Sequence, residues 1–294
     1  MSYTERLLES IKSKNSPVLM GLDPRTEQIP EDCFSSKEKD PEIISDAFLK
    51  FGMRLIDCTK DKIAAIKPQI AFYEALGLPG LKAYAETLAY AESQNVITIS
   101  DIKRGDIGST SEAYAQAHLG SVDGNTKGPF EADAITINPW LGKDSIDPYL
   151  ERCKNNNKGI YLLLHTSNPG SKDIQELNLE SQKQVYQQLS ELIINWQSDL
   201  NVDPSPIGVV FGATFPEQLQ EMIKVLGETP LLIPGYGAQG GTGESMAFLF
   251  RNRTLGPHLV NASRSITYAY IKENCTLEEG AINAITAMQK DLVG

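Results

Sequence analysis

At 294 residues, with 41% hydrophobic and 22% charged side chains, the chain carries enough apolar matter for one large core and reads as globular. A formal net charge of −11 and no Lys/Arg-rich stripe argue against nucleic acid as a partner, so an anionic ligand would need a local basic pocket. No apolar stretch approaches the roughly 20 residues that span a bilayer, so membrane roles fall away and a soluble cytoplasmic protein is expected.

Met1 to Lys14 alternates apolar with charged residues as a short amphipathic helix does, without the apolar core or cleavage site of a secretory signal. The aliphatic run Val18 to Leu22 predicts a first strand that leads into Gly21-Leu22-Asp23-Pro24, where Asp23 either accepts a hydrogen bond from a sugar hydroxyl or caps a helix. Asp40 before Pro41 fits an N-cap with proline at the first helical position, and Ile44, Phe48, Phe51 and Leu55 then step by three and four. Ile63 to Ile66 predicts a second strand, closed by Lys67 and Pro68. A lysine there either snorkels off the strand end or presents an ammonium at a rim.

The next run, Val96 to Ile99, leads directly into Asp101-Ile102-Lys103-Arg104-Gly105-Asp106. In an extended strand Asp101 and Lys103 share a side, while Asp106 lies in the glycine-broken turn beyond. Taken alone, the string also describes a solvated turn with loosely paired charges. Charged groups gathered where a buried strand ends nevertheless suit charge-handling chemistry. Further strand-like runs are Ala134 to Ile137 and Ile160 to Leu164, the latter followed by His165, read as a core histidine, and by Ser167.

Val185, Leu189, Leu192 and Trp196 mark a helix, after which Ile207 to Phe211 and Leu231 to Ile233 predict two more strands. Pro234 to Gly241 is a glycine-rich turn whose backbone N–H groups could close on phosphate oxygens. Gly235, Gly237 and Gly240 spell G-x-G-x-x-G, but late in the chain and without an acid roughly 20 residues on, so a dinucleotide fingerprint is not the reading. Leu259-Val260 completes the series, and Arg264 beyond it offers a planar fork suited to phosphate. Thr276 with Glu279 fits a capping box for the last helix. Cys33, Cys58, Cys153 and Cys275 are scattered without zinc-ligand spacing and read as reduced structural thiols.

Eight strand-like runs alternating with helical patterns, with no linker or repeat, predict an α/β fold: a closed (β/α)8 barrel in one domain, residues 1–294. Chemistry in such barrels sits at the C-terminal ends of the strands, and Asp23, Lys67, Asp101, Ser167, Gln239 and Arg264 all follow apolar runs.

With those residues in view, the chain resembles the orotidine 5′-phosphate decarboxylase family in its longer bacterial form, over nearly its whole length. The motifs that carry the likeness are Gly21-Leu22-Asp23-Pro24, Lys67, Asp101 to Thr110, Thr166-Ser167-Asn168-Pro169-Gly170, Gly237 to Gly241 and Asn261-Ala262-Ser263-Arg264. The resemblance implies decarboxylation of orotidine 5′-phosphate to UMP by a homodimeric barrel with neither cofactor nor metal. It implies that Lys67, Asp101, Lys103 and Asp106 form an alternating charge network, Asp106 entering the neighbouring subunit's site with Ile107 and Thr110. It further implies that Asp23 holds ribose, Ser167 contacts the pyrimidine, and Gln239 with Arg264 grips the 5′-phosphate. Arg25 to Lys39 and Ser171 to Ser181 lengthen regions that compact members of the family keep short.

Two other readings are compatible with parts of the pattern. Metal-dependent sugar-phosphate decarboxylases and aldolases share the D-x-K-x-x-D string but usually carry an acid where Lys67 stands. A non-catalytic nucleotide-binding regulator could use the same phosphate pocket, though it would have no need of the complete Lys67, Asp101, Lys103 and Asp106 set.

Overall fold

The computed structural model describes residues 1–38, 40–237, 241–250 and 256–294, apart from the side chains of Ser245 and Ala247. Eight parallel strands close in sequence order into a barrel: β1 Val18–Leu22, β2 Ala65–Pro68, β3 Ile97–Arg104, β4 Ala134–Ile137, β5 Gly159–His165, β6 Ile207–Phe211, β7 Leu231–Pro234 and β8 His258–Ala262. The connections carry the helices α1 Tyr3–Lys14, α2 Pro41–Thr59, α3 Ile70–Glu74, α4 Leu78–Ser93, α5 Gly108–Leu119, α6 Asp147–Asn156, α7 Val185–Leu200, α8 Pro216–Leu226 and α9 Gly243–Phe250. After β8 come α10 Arg264–Thr267, α11 Ala269–Glu273 and α12 Leu277–Val293.

Side-chain alternation along the strands builds two concentric cores. Leu19, Ile99, Ala134, Tyr161, Val210, Leu232 and Leu259 fill the barrel, while Met20, Ile66, Ile135, Leu162, Val209, Ile233 and Val260 face the helical sheath. Continuous apolar runs are what strands covered on both faces require.

The amphipathic first segment has a structural task that its pattern did not disclose. The apolar face of α1 joins the inner core through Tyr3, Leu7 and Ile11, and the Tyr3 and Tyr161 hydroxyls meet at 3.0 Å. Ser10 and Lys14 donate to the Ala64 and Ile63 carbonyls at 2.7 and 2.9 Å. With α1 seated at the N-terminal mouth, the C-terminal mouth is where the polar residues gather. Ile63 and Ala64 thereby serve α1, and β2 begins at Ala65 rather than Ile63.

Both expected caps form: Asp40 Oδ1 accepts from Ile43 N at 2.8 Å, and Thr276 and Glu279 cap one another. As expected, Asp101 and Lys103 lie within the strand, β3, which continues through Arg104, and Asp106 follows in the glycine-broken loop; what alternation does not describe is the strand's irregularity. Its ladder with β4 pairs Ser100 with Ile135 and Arg104 with Ile137, so Asp101, Ile102 and Lys103 bulge opposite Thr136 alone.

His118 on α5 is buried against Phe130, and burial followed by the Arg104 charge lowers its pKa from 6.5 to about 4. The unfolded chain takes up this proton at a higher pH than the folded one does. The neutral ring's contribution is therefore complete above pH 6.5 and is lost as pH falls toward about 4. Acidification from about pH 7 to about pH 4 is expected to cost roughly 2–4 kcal/mol of stability through this residue. Urea unfolding at the two pH values should show His118→Phe losing that part of the pH dependence; an unchanged slope would refute the assignment.

Candidate active site

Four donors converge on one carboxylate at the rim of β3. Lys67 Nζ and Gln69 Nε2 lie 2.7 and 3.1 Å from Asp101 Oδ2. Lys103 Nζ lies 2.5 Å from Asp101 Oδ1, which also accepts from the Thr136 hydroxyl at 2.8 Å. A carboxylate offers about four lone-pair positions, so these partners saturate Asp101 and leave it no rotational freedom.

Burial divides the network. The side chains of Lys67 and Asp101 are each 7% exposed, whereas that of Lys103 is 45% exposed, so Lys103 is the amine open to a ligand. Burial alone would raise the Asp101 pKa, but the charges of Lys67 and then Lys103, with their hydrogen bonds, hold it far below the ordinary carboxylate range. Burial likewise opposes charge on Lys67, yet attraction to Asp101 and Asp23 outweighs it and its pKa is raised. Both groups therefore stay ionised through neutral pH.

The network opens into a cavity of about 390 Å³ that also takes in Leu163, Ser167, Gln175 and Asn261, a volume suited to a small organic ligand. Ser167 follows β5 and packs tightly on β6: a Cβ on Gly212 would lie 2.8 Å from the Ser167 Cα. At the rim of β1, a Cβ on Gly21 would strike the Ser263 hydroxyl at 1.9 Å, so the first and last strands meet there only with glycine. Asp23 follows directly; Tyr268 donates to its carbonyl at 3.1 Å, and its Oδ1, like Asn261 Oδ1, is buried without a partner among the described residues. Of the two, Asn261 lines the cavity, whereas Asp23 stands behind it, close enough to Lys67 for its charge to act there.

The remaining sequence candidates distribute differently. Asp106 is half-buried in the loop after β3, and its Oδ1 accepts from Ile107 N at 2.8 Å; among the described residues it makes no ion pair with Lys103. Ile107 is 55% exposed, and Thr110 lies exposed in the first turn of α5. Arg264 is exposed at the start of α10 and lines a neighbouring groove with Tyr236, so the loops after β7 and β8 do converge, outside the 390 Å³ cavity. Gln239 lies outside the described residues.

His165 is fully buried among Tyr186, Phe211 and Phe215, with Nε2 3.2 Å from Glu176, and behaves as the expected core histidine. The two long segments are anchored rather than loose. Ile29 and Cys33 are buried in the first, and in the second Gln175 accepts from Thr166 N at 2.8 Å, bringing its side chain to the cavity. Sequence reasoning missed Gln69, Thr136 and Gln175, and quoted Asn261 within Asn261-Ala262-Ser263-Arg264 without giving it a role. Gln69 stands two residues after Lys67 and was open to the same alternation argument; Thr136 and Gln175 carry no local signal.

Residues 16–275 match the model of the Orotidine 5'-phosphate decarboxylase / HUMPS family. The chain belongs to this family. It is similar to the orotidine 5′-phosphate decarboxylase of Clostridium perfringens (strain SM101 / Type A), 42% identical over 294 residues that cover 98% of this chain and 97% of the relative. The orotidine 5′-phosphate decarboxylase of Rhodopirellula baltica is 39% identical over 278 residues, covering 93% and 90%. Among solved structures, OMP decarboxylase of Leishmania donovani superposes with a TM-score of 0.72 at 28% identity, covering 99% of each chain. The barrel and its saturated aspartate thus stand within the orotidine 5′-phosphate decarboxylase family, whose relatives align with the chain almost end to end.

Proposed function

We propose that this chain decarboxylates orotidine 5′-phosphate to UMP, the last step of de novo pyrimidine nucleotide synthesis, with Lys67, Asp101, Lys103 and Asp106 as its charged machinery. The reaction rests on family membership and on decarboxylase relatives of the same length. One observation carries the residue assignment: Asp101 held between Lys67 at 2.7 Å and Lys103 at 2.5 Å at the mouth of a ligand-sized cavity.

The bond between C6 of the orotate ring and its carboxylate carbon breaks, CO₂ departs, and the electron pair remains on C6 in the ring plane, where conjugation cannot spread it. Lys103 stands beside that charge as a fixed ammonium and gives a proton from Nζ to C6; solvent then reprotonates the amine. Asp101 orients Lys103, and Lys67 holds Asp101 ionised and in place. Ser167 contacts the pyrimidine from the cavity wall, and Asp23 accepts from a ribose hydroxyl through its orphaned oxygen. Arg264 and Gln239 hold the 5′-phosphate, a remote contact whose binding energy serves to orient the ring.

Asp106, Ile107 and Thr110 complete the site of a second subunit in a homodimer. Support comes from the apolar surface beside them, with Ile107 55%, Trp140 68% and Leu141 48% exposed on adjoining loops. The reading takes residues 1–294 as one domain, since Gln289 of α12 donates to Lys14 and Lys62 carbonyls and so ties the C-terminal helix to the end of α1. It also takes the protein to be cytoplasmic, in keeping with four free cysteines. Among the described residues no helix is long and apolar enough to cross a membrane.

No cofactor enters this mechanism, and the buried Lys67 ammonium fills the position beside Asp101 that a divalent metal would need. The test is a spectrophotometric assay of orotidine 5′-phosphate loss with and without EDTA. Equal turnover in both is expected; activity that EDTA removes and a divalent cation restores would overturn it.

A further inference from the structure

The β3 bulge leaves Asp101, Ile102 and Lys103 opposite the single residue Thr136, and Lys103 adopts φ +47°, a left-handed conformation that side-chain-bearing residues seldom occupy. Something must hold that backbone. Thr136 lies between Ile135 and Ile137, which face the outer core, so alternation turns its side chain into the barrel. There its hydroxyl accepts from Ile102 N and from Lys103 N, each at 3.1 Å, and donates to Asp101 Oδ1 at 2.8 Å. A hydroxyl has one proton and two lone pairs, and all three are used. The residue is 1% exposed, in the wall of the cavity.

We infer that Thr136 is a positioning residue for the decarboxylation, fixing the Lys103 backbone and the Asp101 carboxylate together so that the Lys103 ammonium arrives at one defined point in the cavity. The inference rests on the assignment of Lys103 as proton donor. Because Lys103 is reached through a left-handed bulge rather than a regular strand, loss of the hydroxyl releases both ends of the Asp101–Lys103 pair at once. The buried Ile102 amide and the part-buried Lys103 amide then lose their acceptor, and the ammonium gains freedom without losing its charge. Such an error of position is felt in the chemical step rather than in ground-state binding.

Thr136→Val preserves shape and removes only the hydrogen bonds. With orotidine 5′-phosphate it is expected to lower kcat at least about tenfold while KM, and affinity for UMP, stay within about twofold. Thr136→Ser, which keeps the hydroxyl, is expected to restore kcat to within about threefold of the unsubstituted chain. Rates are referred to the folded fraction at the assay temperature, so a purely structural role would lower thermal stability and leave kcat per folded molecule intact. Should Thr136→Val not fold, Thr136→Cys, with a weaker donor and acceptor, supplies the same comparison against Thr136→Ser.

A kcat within about twofold of the parent in Thr136→Val, or a folded Thr136→Ser as slow as Thr136→Val, overturns the inference. Lys103→Ala separates it from the reading beneath. If Lys103→Ala is inactive while Thr136→Val turns over normally, only the role of Thr136 falls; an active Lys103→Ala removes the proton-donor assignment itself.

Discussion

Lys103→Ala should reduce turnover of orotidine 5′-phosphate by at least about 10⁴-fold, because it removes both the charge that faces the developing carbanion and the proton that quenches it. Affinity for UMP should change little. The side chain is 45% exposed and pairs with Asp101, which keeps Lys67, Gln69 and Thr136 as donors, so the fold is expected to survive. Appreciable residual decarboxylation in a folded Lys103→Ala protein would refute the proton-donor role. The same variant tests the shared site. Mixed in equal amounts with Asp106→Ala and allowed to exchange subunits, two inactive proteins should recover roughly a quarter of parental activity, since half the dimers then hold one intact site of two. No recovery despite exchange would place Asp106 in its own subunit's chemistry, and an Asp106→Ala protein active before mixing would place it outside.

Asp101→Ala should fail for a different reason. It leaves Lys67, whose side chain is 7% exposed, as an unpaired buried charge with only the more distant Asp23 for compensation. Breaking one partner of a buried pair typically costs roughly 3–5 kcal/mol, to be read by urea denaturation near neutral pH. Turnover should fall by at least about 10²–10³-fold in the folded fraction, because Lys103 loses the group that aims it. The double substitution Lys67→Met/Asp101→Leu distinguishes the two effects. It removes the stranded charge and should regain most of the stability, while decarboxylation is not regained. A double variant no more stable than Asp101→Ala would show that charge burial is not the source of the loss.

The pKa of Asp101 gives the pH sense of this stabilisation. Its folded value is depressed, so its contribution is present above the ordinary carboxylate range and is lost only as pH falls through and below that range. His118 acts earlier on acidification, between pH 6.5 and about 4. Acid sensitivity just below neutrality should therefore follow the buried histidines, His118 and with it His165, whose pKa burial also lowers, and the charge network should persist beneath them.

Much of the fold was legible because its signals are local. Runs such as Val18 to Leu22 and Ala134 to Ile137 became β1 and β4 without a shift, since a strand buried on both faces must be apolar throughout. Lys67, Asp101 and Lys103 could be singled out because charged side chains are rarely buried without partners, although a snorkelling lysine and a solvated turn fit the same local pattern. The bulge at Lys103 was not legible. It arises from the pairing of β3 with β4, a contact between segments separated by some 33 residues, and alternation within β3 alone describes a regular strand.

The chain's own order of residues determined the eightfold alternation, the position of the polar groups at one end of it, and the chemical types available there, because periodicity and charge are properties of neighbours along the backbone. Closure brought Lys67 from β2, Thr136 from β4 and Ser167 from beyond β5 around Asp101, and it turned the amphipathic α1 into the floor of the barrel. Those decisions belong to tertiary structure alone, since the donors that saturate a buried carboxylate are chosen by distance in space, and register between strands sets that distance.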